Sequence, residues 1–206
     1  GDGTKGFVTS ISYKPLEEFA PKLDILAKAD PSYLKIMTEE TETEDFILNN
    51  MKFNDPIINR LMTDITAILP PEKAKELYYK QGTLGIPELN TPNTRKAIEI
   101  CNPQSFTDLG RLEGLTHGTG VFESAKPLLE NGMLLEEIPW CLRDEMFIFF
   151  VKKWNMDPEK SFKAIEYIRK GKWKVMDQEL KDHLKDNLPS WVYDAVSRIE
   201  YLFPSA

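Results

Sequence analysis

The chain has 206 residues but only two cysteines and two histidines. Cys101 and Cys141 stand far apart, with no Cys or His beside either one, so no standard zinc spacing exists. Two isolated thiols fit reduced core positions in a cytoplasmic protein better than a disulfide framework. Long apolar runs are missing as well. The longest uninterrupted one, Met146 to Val151, is far too short to cross a bilayer, so no membrane partner is expected. The first residues, GDGTKG, contain no apolar h-region, and no signal peptide is expected in them. A general basic excess is also absent. With a net charge of −7, the chain is a poor candidate for coating DNA without specificity. There is no internal repeat and no low-complexity stretch.

What is present is an ordinary folding composition, 41% hydrophobic and 29% charged, with enough length for a real core. The charge is unevenly spread. Between Phe147 and Lys174, eight basic residues face three acids, a local +5, so the rest of the −7 chain carries −12. Such a segment can hold a phosphate-bearing ligand locally.

In chain order, Gly6 to Tyr13 is short, β-branched and partly alternating, and reads as a strand. Leu16 to Ala20 reads as a helical turn. Lys22 to Leu26 reads as a second strand with one acid, Asp24, between apolar neighbours. An unpaired acid is costly to bury, so Asp24 needs a partner or a role. From Pro31 onward the apolar spacing becomes helical. Asp30-Pro31, Asn54-Asp55-Pro56, Thr91-Pro92 and Asp157-Pro158 each pair a cap residue with proline, the signature of a helix start. Glu39 to Asp45 is an acidic link, and Phe46 to Met51 a short helix or turn. Ile57, Ile58, Leu61 and Ile65 mark the expected buried face of one helix, and Glu72 to Tyr79 reads as another. Gly82 to Asn90 reads as a loop. Met146 to Val151 is apolar nearly all round and is the leading core candidate. Arg143 stands at the start of that helix, opposed to the helix dipole, which implies use or a local pair. Arg169, Lys170 and Lys172 lie across the stop at Gly171, where cations complement the dipole. Met176 to Lys185 and Pro189 to Tyr201 read as the last two helices.

The most informative stretch is Asn102 to Gly120. Phe106, Leu109 and Leu112 share one helix face, then Gly114, Gly118 and Gly120 follow closely, with Thr116 and His117 between them. Val121, Leu128 and Leu129 resume the helical period. This is helix, glycine-rich hairpin, helix. The glycines let backbone turn sharply or approach a ligand closely, and exposed amides at the second helix start suit a phosphate. Glycines that only make the turn explain the same pattern.

Taken together, these residues resemble a known family. Lys22 to Leu26 with Asp30-Pro31, Gly82 to Glu88 with Thr91-Pro92, Asn102 to Val121, Arg143-Asp144, Arg169 to Lys172, and Pro189, Trp191 and Tyr201 to Pro204 are similar, in order and spacing, to the fingers region of PolC-type DNA polymerase III α subunits. These are the replicative polymerases of low-GC Gram-positive bacteria. Departures exist: Thr116 stands where the family has Ser, Gly120 where it has an acid, Phe122 where it has Trp, and Ser205 where it has Lys.

The resemblance implies a mainly α fold: a helical fingers subdomain, 31–206, with a short N-terminal β segment, 1–30, contributed by the palm edge. It implies DNA-directed DNA polymerase activity in a longer parent chain, with two-metal nucleotidyl transfer and Mg2+ as cofactor. Asp24 falls on a metal-binding catalytic carboxylate. Thr116, His117, Tyr201 and Phe203 fall on the pocket for the nucleotide and nascent base pair, and Arg143, Arg169, Lys170 and Lys172 on phosphate-facing positions. Implied partners are primer–template DNA, dNTP, the sliding clamp and other replisome proteins. No DxD pair of acids occurs in the sequence, so the chain alone is expected to be an inactive piece. Two rival readings stay open: a helix-hairpin-helix DNA-binding module without catalysis, and a purely structural helical domain.

Overall fold

The structure, a computed structural model, describes residues 30–202 except Met51, Phe53 and Tyr78, together with Ser10, Pro15 and Phe19. The expected strands at Gly6 to Tyr13 and Lys22 to Leu26 lie outside the described residues. The described residues are mainly helical, and their β structure is one isolated antiparallel bridge between Thr119 and Tyr201. The chain divides into two compact units, Gly1–Met51 and Lys52–Ala206.

In the first unit, α1 (Asp30–Thr41) and α2 (Glu44–Asn50) pack together. The acidic link is thus no free tether. Glu42 takes a left-handed φ of 55° between the helices, and Glu44 and Asp45 sit in the first turn of α2, where the helix dipole favours acids.

The second unit begins with α3 (Pro56–Thr63). The Asp55 carboxylate caps it, accepting from the amides of Ile57 at 2.8 Å and Ile58 at 3.2 Å. The expected buried face is only partly right. Leu61 and Met62, near its C-terminal end, are buried, but Ile57 and Ile58 are 57% and 48% exposed although α3 packs on α5 (Pro92–Cys101). The expected helix Glu72 to Tyr79 shrinks to α4 (Pro71–Ala74). Its continuation is drawn into other bonds: Ile65 N–H donates to the Lys80 carbonyl at 2.7 Å, Gly82 N–H to the Leu61 carbonyl at 2.9 Å, and the Arg95 guanidinium lies 4.0 Å over the Tyr79 ring.

Three helices then form a packed trio: α5, α6 (Phe106–Thr116) and α7 (Val121–Glu130). Thr91 caps α5 and Ser105 caps α6, each accepting from an amide three residues on. Asn102 ends α5 with φ 45°, a left-handed position that asparagine tolerates. Beyond them, α8 (Arg143–Ile148) runs into a π turn, Phe149–Lys153, and packs on α9 (Pro158–Arg169). Next, α10 (Gln178–Asn187) joins α9 to α11 (Ser190–Val196), which returns to α7.

Trp140, Ile98, Leu112, Leu115, Val121 and Phe150 are among the fully buried side chains of the shared core. Full burial of such side chains stabilises by roughly 1.5–3 kcal/mol each. The apolar run is less central than its composition promised. Met146 and Phe150, one turn apart, point inward, whereas Ile148 is 57% exposed. A helix packed from one side hides one face, however apolar the other is. Cys101 and Cys141 are buried free thiols, and burial pushes Cys101 up to about 12 and Cys141 well above its ordinary value.

Candidate functional site

α6 ends at Thr116, and His117 closes it by donating its backbone N–H to the Glu113 carbonyl at 3.0 Å. Gly118, Thr119 and Gly120 make the turn, and α7 begins at Val121. The glycines do meet close neighbours, but those neighbours are the protein's own backbone. A Cβ on Gly114, inside α6, would strike the Cys141 carbonyl. A Cβ on Gly118 would lie 2.8 Å from the Tyr201 carbonyl oxygen, and one on Gly120 2.7 Å from that of Arg198. Gly171, at φ 62°, is likewise crowded by the Glu200 carbonyl. Residues 198–202 therefore form a strap across the hairpin.

Hydrogen bonds fix the strap at both ends. Thr119 N–H donates to the Tyr201 carbonyl at 2.8 Å, and Tyr201 N–H donates back to Thr119 at 3.2 Å. Leu202 N–H donates to the Arg169 carbonyl at 3.1 Å. Tyr201 thus joins the hairpin, with the residue 41% exposed, and the end of α9 joins the same strap. The strap also weighs against hairpin amides as a phosphate cradle, since the Thr119 amide is already bonded to the Tyr201 carbonyl.

The other side of the hairpin is open. Thr116 and His117 line a groove of about 530 Å³ between α5 and α7, together with Glu88, Asn93, Lys96 and Lys126. The Thr116 hydroxyl donates to the Leu112 carbonyl at 3.0 Å. His117 Nδ1 faces the Glu113 carbonyl at 2.9 Å, and because that oxygen can only accept, Nδ1 is the donor. Its Nε2 meets the Glu88 carboxylate, likewise only an acceptor, at 3.1 Å across the groove, so this contact is a hydrogen-bonded ion pair in the doubly protonated imidazolium form; the His117 side chain is 29% exposed.

The basic residues singled out in the sequence are spread and largely paired. Arg143 Nε donates to Asp144 at 3.1 Å beside a different cavity, lined by Phe147, Ile148 and Phe162. Arg169 grips Glu166 through two bonds of 3.0 Å, and Lys170 reaches the same carboxylate at 3.1 Å. Lys172 is exposed. Deeper in, Arg111 joins α6 to α8, pairing with Asp108 at 3.0 Å and Glu145 at 2.9 Å. Burial works against its charge, but the two carboxylates outweigh it and raise the Arg111 pKa. Asp24 and Phe203 lie outside the described residues. Among the described residues no three His, Cys, Asp or Glu side chains converge on a possible metal position.

The Arg169 bonds, opposed by partial burial and aided by Lys170, hold the Glu166 carboxyl down at about 2 from its usual 4.5. The unfolded chain then binds the proton more readily than the folded one. The pair's stabilisation is fully present above pH 4.5 and disappears as pH falls towards 2. Acid titration of unfolding should show a shallower slope over that window in Glu166→Gln, which also starts less stable at pH 6. An unchanged slope would place the acid sensitivity elsewhere.

Residues 30–140 match the family model of the bacterial DNA polymerase III alpha subunit finger domain. The chain belongs to this family. Relatives named DNA polymerase III PolC-type include that of Bacillus cereus, 30% identical over 99% of this chain and 14% of the relative's length. The Ureaplasma parvum protein is 31% identical over 96% of the chain and 13% of its own length, and the Bacillus subtilis one is 28% identical over 99% and 14%. This finger-domain chain therefore spans about 14% of the length of the curated relatives it matches.

Among the charged residues of the groove, Lys96, Glu123 and Lys126 escaped the reading of the sequence. Glu88 reads there as part of a loop and of the family motif Gly82 to Glu88, not as a site residue. Its signal was an acid closing a motif, Gly82 to Glu88, directly before the cap of α5.

Proposed function

We propose that this finger domain serves a replicative DNA-directed DNA polymerase, and that the groove beside Thr116 and His117 receives the incoming dNTP at the nascent base pair. One observation carries the reading: Thr116 and His117 stand side by side on an open hairpin, and Tyr201 is bonded to that same hairpin. Pairing geometry rather than a base-specific code selects the nucleotide, so such a pocket needs shape, stacking surface and a few donors. His117 offers a donor from the groove lining, whereas Tyr201 lies outside that lining and would bring its partly exposed ring from the strap side of the hairpin. Phe203 belongs with them, and Arg143, Arg169, Lys170 and Lys172 would face phosphate. The paired state of the first three means that phosphate must compete with Asp144 and Glu166, which leaves Lys172 the most available cation of the four.

In the parent chain the reaction joins a nucleotidyl group to a primer 3′-hydroxyl, and Mg2+ would supply charge stabilisation at the attacking and leaving oxygens. Asp24 is the one carboxylate of this chain assigned to it. The described residues offer no metal cluster, so their own contribution is binding and orientation. The 1–30 segment belongs to the palm edge in this reading, the chain alone is inactive, and primer–template DNA, the sliding clamp and other replisome proteins are the parent's cytoplasmic partners.

Steady-state kinetics of the longer polymerase carrying His117→Ala test the site. Loss of a hydrogen bond to a charged group costs about 1.5–3 kcal/mol, so kcat/KM for dNTP should fall by roughly 10–100-fold. Affinity for primer–template should stay within about twofold. Equal losses in both would remove His117 from the nucleotide site.

A further inference from the structure

The groove already contains an anion of the protein's own. His117 Nδ1 is committed to the Glu113 carbonyl, so Nε2 is the nitrogen presented to the groove, and it meets the Glu88 carboxylate. Glu88 is held there by a backbone φ of 66°, uncommon for a residue with a Cβ. Its side chain is 63% exposed, so it lies over the groove and is not packed into it. Lys96 from α5 and Lys126 from α7 line the opposite walls, with Glu123 also on the lining. Lys126 reaches Glu130 only at 3.7 Å. A ring nitrogen and two lysines thus line one groove with two carboxylates, Glu88 and Glu123, and only Glu88 is bonded to His117.

We infer that Glu88 stands in for a phosphate: the groove takes the polyphosphate of its ligand, which displaces the Glu88 carboxylate from His117 on binding. The inference rests on the nucleotide reading and adds to it which part of the nucleotide lies against His117 and what must move first. The magnitudes permit it. An exposed ion pair is worth about 0.2–1 kcal/mol. A polyphosphate carries several charges and engages His117, Lys96 and Lys126 together, so it outcompetes a single tethered carboxylate. Glu88 then acts as a positioning residue, keeping the imidazole oriented while the groove is empty and costing the ligand little to remove.

The test uses this chain with inorganic tripolyphosphate, followed through the imidazole NMR signals. The sequence has two histidines, so His183, far along on α10, is an internal control for folding and for general ionic effects. Tripolyphosphate should move the His117 signals and leave those of His183 in place. Glu88→Gln should tighten binding by about two- to fivefold, the fold-change equivalent of an exposed pair. Lys96→Gln should weaken it by a similar factor. Glu136→Gln, an exposed carboxylate outside the groove, removes the same charge and should change affinity by less than about 1.5-fold. Unchanged or weaker binding in Glu88→Gln, equal tightening in Glu136→Gln, or no selective response of His117 would each overturn the inference. KM measurements on the longer polymerase separate it from the reading beneath it. Should His117→Ala raise KM for dNTP while Glu88→Gln leaves KM alone, the displacement idea fails and the nucleotide site stands. Should Glu88→Gln tighten tripolyphosphate while His117→Ala leaves KM alone, the anion site stands and its assignment to dNTP fails.

Discussion

Gly171→Ala should lower unfolding stability by about 2–5 kcal/mol, one of the two largest losses expected of single substitutions here. Two costs combine. At φ 62° an alanine sits in the left-handed region, which costs roughly 1–2 kcal/mol for a residue with a Cβ. The new Cβ would also strike the Glu200 carbonyl, a backbone atom that cannot rotate away like a side-chain tip. Overpacking of this kind typically costs about 1–3 kcal/mol. Gly132 provides the control, since it has φ 92° but nothing within 4 Å of its Cβ position. Gly132→Ala should therefore show the strain alone. In thermal melts of a chain this size, 1 kcal/mol moves Tm by about 2–4 °C, so Gly171→Ala should melt roughly 4–20 °C lower. If it costs no more than Gly132→Ala, the strap is not held as tightly as its contacts indicate. Function should follow stability here, because a strap lifted from Gly171 also loosens Tyr201 against Thr119.

The contrast between these glycines shows what a sequence can and cannot carry. A cap followed by proline acts over a few residues, and Asp55-Pro56, Thr91-Pro92 and Asp157-Pro158 all start helices where that local chemistry says they should. Which face a helix buries depends on neighbours distant in sequence. Ile57, Ile58 and Ile148 look like core and lie exposed, while Trp140, outside the longest apolar run, is fully buried. The hairpin follows the same division. Thr116 and His117 are adjacent in the chain, so their meeting was legible. Glu88 reaches His117 only because α5 folds back beside α6, and no spacing rule announces that. The glycines were legible as close-approach positions, but whether the approaching group was a ligand or the chain itself required the strap to be seen.

Trp140→Ala should be at least as damaging, at about 3–5 kcal/mol. The indole is completely buried, meets the tilted ring of Trp191 of α11 at 5.8 Å between centroids, and donates Nε1–H to the Val121 carbonyl at 3.3 Å. Three contributions are lost together, and their sizes rank them. The cavity dominates, since removing a whole indole from a packed core accounts for most of the expected figure. The ring pair adds about 0.5–1.5 kcal/mol. The long hydrogen bond belongs at the low end of 0.5–1.5 kcal/mol. Trp140→Phe keeps most of the volume and much of the ring contact, so it should cost only about 1–2 kcal/mol. Denaturant unfolding of both variants decides between volume and bond. Comparable losses would mean the Val121 bond matters more than the cavity. The position of that bond gives the experiment a second reading. Val121 is the first residue of α7, directly behind Gly120, so Trp140 braces the hairpin from the core side while the strap braces it from outside. Trp140→Phe loses the bond and a smaller share of the packing, and under conditions where it remains folded it should perturb the His117 signals more than those of His183. A hairpin clamped from two sides is fixed before any ligand arrives, which leaves Glu88, and not the backbone, as the part of the groove that moves.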